Sequence, residues 1–333
     1  MTDNRKLVIH RLGDSFRACT AVVSEPVRAP AAGELLVRNH FAGVNGVYDQ
    51  MMCLDRVEHA SVTPPADCGV EAVGVVEAVG RGVTRFAVGD AVATVRVGQA
   101  YRQYQLCPEA EATALPEATP QWLAIIPSGV SAVVALEQVG QMASNETVCI
   151  TAAAGGLGHV MTQWAIAAGN HVIAVCGSDA KAQWLRSIGA VRVIQYRRES
   201  LADALNTEYP DALNLAMDSV GGVVFDALLE QLAPHGRLVV CGYTSDRLPT
   251  ERVSQERIYT SLYWKAASVR GFMNYRFAAY ADDARSRLSE AWGSGKFEPL
   301  VDTRRFRGLE HIADAVEWLL SGQNLGKVVV DLR

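Results

Sequence analysis

Basic residues are in short supply in this chain: 31 Lys and Arg stand against 36 Asp and Glu, a formal net charge of -5 over 333 residues. Affinity for a phosphate backbone comes largely from clustered Lys and Arg, so this balance argues against a nucleic-acid binder and for a small-molecule partner. Long apolar runs are missing too. No segment offers the roughly 18 consecutive apolar residues of a membrane span, and the start, MTDNRKLVIHR, lacks the basic stretch and apolar core of a signal peptide. A cytoplasmic location is the simplest expectation. Paired cysteines are also lacking: Cys19, Cys53, Cys68, Cys107, Cys149, Cys176 and Cys241 are scattered, odd in number and without a CxxC spacing. That excludes a disulfide framework and leaves reduced, mostly buried thiols. The histidines, His10, His40, His59, His159, His171, His235 and His311, cluster with no nucleophile, so a hydrolase triad has no support.

What remains is ordinary globular material, 49% hydrophobic and 20% charged, with more length than one hydrophobic core usually supports. Two domains are expected. From about 6 to 115, short apolar runs are punctuated by Gly and Pro (GELLVRNHFAGVN, GVEAVGVVEAVGRGV, FAVGDAVATV), which predicts a largely β domain without long amphipathic helices. The segment EATPQWLAIIPSGVSAVVALEQVG shifts to helical spacing, ending near Gly140. Beyond Asn145, strand-like runs at 148–152, 171–176, 191–196, 213–217, 237–242 and 268–272 alternate with helical patterns. That alternation specifies a parallel sheet covered on both faces, the doubly wound dinucleotide fold. The end of the chain reads as a helix closed by Gly322 and a last strand, placed back with the first domain. The predicted division is therefore 1–121 with 297–333, and 122–296.

One stretch carries the most chemistry: TAAAGGLGHVMTQWAIAAGNHVIAVCGSDAK, residues 151–181. It reads as strand, glycine turn, helix and strand, with Ala153, Gly155 and Gly158 at the three places of the GxGxxG pattern. The free N–H groups that open the helix suit a diphosphate. An NAD-preferring fold commonly sets Asp or Glu at the end of the second strand, where it binds the ribose 2'-hydroxyl. Here Cys176, Gly177 and Ser178 stand instead, with Lys181 one turn on and Tyr196, Arg197 and Arg198 after the third strand. Hydroxylic and cationic groups suit a 2'-phosphate, hence NADPH. Asp179 opposes that reading unless its carboxylate points away, and the plainer reading, in which Ser178 or Asp179 caps a helix and Lys181 is a surface charge, is compatible with it.

At this point the chain resembles the medium-chain dehydrogenase/reductase family, in its zinc-independent quinone oxidoreductase and enone reductase branch. The resemblance runs through AGVN (42–45), GVEAVGVVEAVG (69–80), VGDAV (88–92), SGVSA (128–132), AAAGGLG (152–158), DSVGG (218–222), GRLVVCGY (236–243) and GQNLGKVVV (322–330). It implies an α/β chain with a GroES-like β-rich catalytic domain, a Rossmann NADPH-binding domain and a homodimer through edge strands such as the one near 268–272. Zinc members place a Cys where Asn45 stands and a His where Val70 stands, so the resemblance implies no metal. It also implies that Asn45 and Ser131 lie near the nicotinamide, that Ala154, Gly155, Gly156, Leu157 and Gly158 face the diphosphate, and that Ser178, Lys181 and Tyr196 surround the 2'-phosphate. Gly242, Tyr243, Phe272, Met273 and Asn274 would line the nicotinamide pocket, and Asn324 would reach the cofactor. Plainer roles stay open: Asn45 bracing a turn, Phe272 and Met273 as core, Asn324 as a helix cap.

Reduction of an activated alkene needs a hydride at the β-carbon, a hydrogen-bond donor for the enolate oxygen and a proton for the α-carbon. None of these requires a metal, whereas a carbonyl target demands stronger polarisation. The expected activity is therefore NADPH-dependent reduction of the C=C bond of α,β-unsaturated ketones; quinone reduction and a non-catalytic, crystallin-like NADPH-binding role are the alternatives. Many related reductases carry a Tyr several residues beyond the Asn of GVN, but this chain reads VNGVYDQMMCLDR, with Tyr48 nearby. Tyr48 and Asn45 are the expected catalytic pair. Met51, Tyr263 and Tyr275 are the expected substrate contacts, and MMCLDRVEHASVTPP reads as a substrate lid.

Overall fold

A computed structural model describes residues 3–58, 60–246 and 257–333. His59, within the stretch read as a lid, lies outside the described residues. The chain divides into two units, Met1–Pro127 with Pro299–Arg333, and Ser128–Glu298.

The first unit is built from short, mostly antiparallel strands. A small sheet has the order β2 (Thr20–Pro26), β1 (Asp3–Ile9), β4 (Ala66–Asp67). A larger one centres on β3 (Glu34–Gly43) and β5 (Glu71–Val79), extended by β6 (Ala91–Val95) and β8 (Ala112–Leu115), with β7 (Tyr104–Pro108) also paired to β3. The C-terminal return adds β15 (Phe306–Arg307) and β16 (Val329–Asp331), the latter antiparallel to β3. Closely spaced backbones need glycine: a Cβ on Gly80 would stand 1.7 Å from the Ala31 carbonyl oxygen. Among the described residues, three short α-helices complete the unit, α1 (Phe16–Cys19), α2 (Gly46–Cys53) and α10 (Ile312–Leu320). Helices α2 and α10 pack closely because Gly46 has no side chain; a Cβ there would meet Leu319 at 3.0 Å. The core between them gathers Phe16, Val44, Met52, Cys53, Val57, Val62, Tyr101, Ile312 and Val316. Burial of each such apolar side chain contributes roughly 1.5–3 kcal/mol relative to exposure. The stretch read as a lid thus supplies core, since Met52, Cys53, Val57 and Val62 are all buried.

Among the described residues of the second unit six parallel strands follow the order β11 (Arg192–Gln195), β10 (His171–Cys176), β9 (Thr147–Ile150), β12 (Leu213–Asp218), β13 (Leu232–Val240), β14 (Ser268–Gly271). The reversal of strand order on the two sides of β9 is the switch point at which doubly wound sheets bind ligands. Strands covered on both faces read as continuous apolar runs, as in VCI of β9 and VIAVC of β10, all buried. Crossovers are made by α4 (Gly158–Ala167), α5 (Asp179–Ser187), α6 (Leu201–Glu208), α7 (Gly222–Glu230) and α8 (Tyr259–Tyr263). Ser178 and Ser200 N-cap α5 and α6 through their side chains. The segment of helical spacing before Gly140 contains α3 (Val130–Val134), continued by wider turns over Ala135–Val139, and α9 (Ala281–Gly293) packs on α3. Strand β13 begins at Leu232, five residues ahead of the expected start.

Candidate active site

The carboxyl ends of the parallel strands bring together most of the residues expected to meet a dinucleotide. After β9 the chain makes the turn 151–158, held by Thr151, whose Oγ1 donates to Asp218 Oδ1 at 3.1 Å and accepts from Ser219 N–H at 2.8 Å. Thr162 Oγ1 and the Val175 carbonyl fix Ala153 from either side. A Cβ on Gly158 would lie 2.2 Å from the Ala152 carbonyl oxygen, so the third glycine is sterically obligatory. The backbone N–H groups of Gly156, Leu157 and Gly158 take no acceptor among the described residues, and they stand at the N-terminus of α4. Such a cradle fits a diphosphate. Ala154 is buried beneath it.

At the end of β10 the structure gathers Ser178, Lys181 and Tyr196. The Tyr196 hydroxyl lies against Gly177, where a Cβ would come within 2.4 Å of it. Ser178 Oγ accepts from Lys181 N–H at 3.4 Å, and Lys181 is buried. Asp179 is occupied elsewhere: its Oδ1 accepts from Gln195 Nε2 at 3.0 Å and its Oδ2 from Arg198 Nη2 at 2.5 Å. The Asp179 carboxylate is thus paired with Arg198 at the surface, both side chains being mostly exposed. Arg197 sits over the Tyr196 ring at 6.0 Å. A hydroxyl, a phenol and the Lys181 cation suit a phosphate monoester.

Farther along the same sheet ends, Gly242 and Tyr243 follow β13, and Phe272, Met273 and Asn274 follow β14. Phe272 stacks on Phe277 at 5.7 Å, while Met273 and Tyr243 are about half exposed. Asn274 Oδ1 accepts from Tyr275 N–H at 2.7 Å, and Tyr275 is about half exposed. Tyr263 is not brought there. It ends α8 on the amino-terminal side of β14, 76% exposed and edge-on to Trp264 at 5.2 Å. Ser131 lies half-buried in the first turn of α3.

In the first unit, Asn45 is the N-cap residue of α2, and Tyr48 and Met51 lie on that helix, both half-buried against the core. Burial, reinforced by the Asp49 carboxylate, pushes the Tyr48 hydroxyl up to about 12, so it carries its proton at neutral pH. Asn324 is buried, with Nδ2 donating to the Gly326 carbonyl at 2.9 Å within its own loop.

Four residues around Asn45 escaped the sequence reading. Lys327 Nζ lies 2.6 Å from Glu71 Oε1 and donates to Asn45 Oδ1 at 2.9 Å, and Asn45 Nδ2 donates to Glu71 Oε2 at 2.6 Å. Asp49 Oδ2 accepts from Asn45 N–H at 3.0 Å and from the Tyr101 hydroxyl at 2.7 Å. Burial raises the Asp49 carboxyl to about 6, against the lowering pull of its two donors. The available signal was a charge inside an apolar run, Glu71 in GVEAVGVV and Lys327 in GKVVV.

Comparisons with known proteins agree with this architecture. Residues 31–130 match the alcohol dehydrogenase GroES-like domain and residues 156–290 match zinc-binding dehydrogenase. Prostaglandin reductase-3 of Mus musculus is 38% identical over 98% of this chain and 89% of its own length. A probable quinone oxidoreductase of Leishmania amazonensis is 33% identical over 99% of this chain and 98% of its own. The crystal structure of the Escherichia coli quinone oxidoreductase complexed with NADPH superposes with a TM-score of 0.83 at 25% identity, covering 98% of this chain and 99% of that one.

Proposed function

Because the chain belongs to the medium-chain dehydrogenase/reductase family, we propose that it is an NADPH-dependent reductase of the C=C bond in α,β-unsaturated ketones. NADPH is held by Gly155–Gly158 at its diphosphate and by Ser178, Lys181 and Tyr196 at its 2'-phosphate. Gly242, Tyr243, Phe272, Met273 and Asn274 border its nicotinamide end. When bound, the reduced nicotinamide supplies a hydride to an electrophilic carbon. The protein's own task is then to bind the developing enolate oxygen and to keep a proton at hand.

The observation that carries this reading is the polar set at the start of α2. Asn45 offers a carboxamide N–H and Tyr48 a hydroxyl that stays protonated, both of them hydrogen-bond donors and neither a nucleophile. Asn45 and Val70 also stand where zinc members place ligands, and a carboxamide engaged by Lys327 and Glu71 is a poor donor set for that ion. The relatives named prostaglandin reductase-3 support an extended enone as substrate. Met51 and Tyr275 are the substrate contacts in this reading.

Quinone reduction is the second reading, favoured by the whole-length similarity to a probable quinone oxidoreductase. The experiment that separates them follows oxidation of NADPH and, separately, NADH against enones and quinones, with products identified. The expected outcome is NADPH-selective formation of saturated ketones. Faster turnover of quinones would favour the second reading, and NADPH binding without turnover on any acceptor would defeat both. We further propose a cytoplasmic homodimer. Strand β14 is a sheet edge, with Tyr263 and Trp264 exposed beside it, and no described helix is long and apolar enough to cross a membrane. Sedimentation at twice the monomer mass would support the dimer, and a monomer would refute it.

A further inference from the structure

The Asn45 side chain does not do what an asparagine at its position normally does. A residue at the N-cap of a helix ordinarily turns its side chain onto a free N–H of the first turn. Asn45 makes no such bond. Its backbone N–H is held by Asp49, its Oδ1 by Lys327 and one Nδ2 hydrogen by Glu71.

Those restraints determine which way the carboxamide points. An amide can be turned end for end with little change in shape, so an unrestrained Asn presents either oxygen or nitrogen. An ammonium only donates, and an ionised carboxylate only accepts. With Lys327 on one side and Glu71 on the other, only one orientation satisfies both. A carboxamide nitrogen has two hydrogens and Glu71 takes one, so a second remains on a side chain that is only half-buried.

Stability does not explain the pair. The side chains of Lys327 and Glu71 are 2% and 1% exposed, and an apolar pair of like volume is often at least as stable as a buried ion pair. The surroundings are nevertheless shaped for it. A Cβ on Gly43 would lie 2.3 Å from Glu71 Oε1, and one on Gly69, which has φ +85°, would lie 2.6 Å from the Tyr101 ring. Two distant segments, carrying Glu71 and Lys327, thus meet on one amide, and Gly43 leaves the space that Glu71 occupies.

We propose that Lys327 and Glu71 are positioning residues that lock the Asn45 carboxamide so that its second Nδ2 hydrogen is a fixed donor to the enolate oxygen of the substrate. This rests on the reductase reading above. A bound reduced nicotinamide would supply the hydride for the new C–H bond at the β-carbon and would be oxidised by that transfer; the C=C electron pair would move onto oxygen as the enolate, Asn45 Nδ2–H would donate to that oxygen, and Tyr48 or water would supply the proton for the α-carbon. The reversed amide would present a lone pair to that oxygen and repel it.

The test uses the full chain with Glu71→Met and Lys327→Met combined, which removes both charges and leaves neither unpaired. Wild type and variant are compared in Tm, in NADPH affinity by fluorescence titration, and in kcat and KM for an enone that the wild type reduces. The expected variant is folded, binds NADPH within about threefold of wild type, and loses at least about tenfold in kcat with a smaller change in KM. A folded variant with kcat within about twofold of wild type would overturn the proposal and leave the pair a purely structural contact. If the double variant does not fold, the charge-swapped Glu71→Lys with Lys327→Glu is read by the same criterion, because it keeps an ion pair but reverses the amide. A wild-type chain that reduces no enone defeats the reductase reading and this role with it, and does so before any variant is measured.

Discussion

The two units of the molecule assemble their chemistry in opposite ways. In Ser128–Glu298 the groups that suit a dinucleotide come from consecutive strand ends, so neighbours in sequence are neighbours in space. In the other unit Asn45, Glu71, Tyr101 and Lys327 meet across 26 to 282 residues of chain. The first arrangement is built from local turns and helix N-termini. The second depends on antiparallel register among β3, β5 and the segment leading into β16, in which one residue's slip moves a side chain to the opposite face. The groups that suit a dinucleotide are thus set by local motifs, and the hydrogen bonds on Asn45 by tertiary packing.

That contrast can be broken most strongly at Lys327. Lys327→Met alone leaves Glu71 buried and unpaired, and the expected loss of stability is about 3–5 kcal/mol, read as a fall in Tm or in denaturation midpoint. NADPH affinity, a property of the other unit, should stay within about threefold in the protein that remains folded. A loss confined to cofactor binding would invert the comparison.

Asp49 offers a pH test in the same unit. Its carboxyl ordinarily titrates near 4 and is raised to about 6 in the folded protein. Below pH 4 it is protonated in both states and contributes its full share of stability. As the pH rises through 6 the folded protein must carry a buried charge, so that share is lost, on the order of 3 kcal/mol. Relative to Asp49→Asn, wild-type stability should therefore fall between about pH 4 and pH 6. A difference that is flat across this window would show that the carboxyl is not raised.

The nucleotide unit is tested by Gly158→Ala, whose Cβ meets the Ala152 carbonyl at 2.2 Å. Displacing the turn should destabilise by about 1–3 kcal/mol and weaken NADPH binding at least as much, measured by fluorescence titration. The smallest effect is expected at Lys181. Lys181→Ala should reduce the preference for NADPH over NADH by about tenfold, roughly 1.4 kcal/mol, in the ratio of kcat/KM values. An unchanged ratio would remove Lys181 from the phosphate site.

Much of the nucleotide unit is legible in the sequence for the reason the comparison gives. The run HVIAVC, the serine ahead of DAKAQWLRS and the glycines of AAAGGLG each specify their structure within a few residues, and β10 and the Ser178 cap stand where they were expected. The pairing of Asp179 was not legible, because its partners Gln195 and Arg198 belong to the next strand and the loop after it. In the β-rich unit the strands were readable as a class but their pairing was not, and the stretch read as a lid proved to hold core residues such as Val57 and Val62. Asn45 was identified, but its partners were not. Glu71 and Lys327 looked like ordinary charges, and only the register of β5 and the chain ahead of β16 carries both to one carboxamide.

The central claim is that the hydride goes to the β-carbon of an enone. The most direct measurement uses NADPH deuterated at the transferred position and locates the label in the product by NMR. The account predicts a saturated ketone labelled at the β-carbon. An allylic alcohol labelled at the former carbonyl carbon would contradict it.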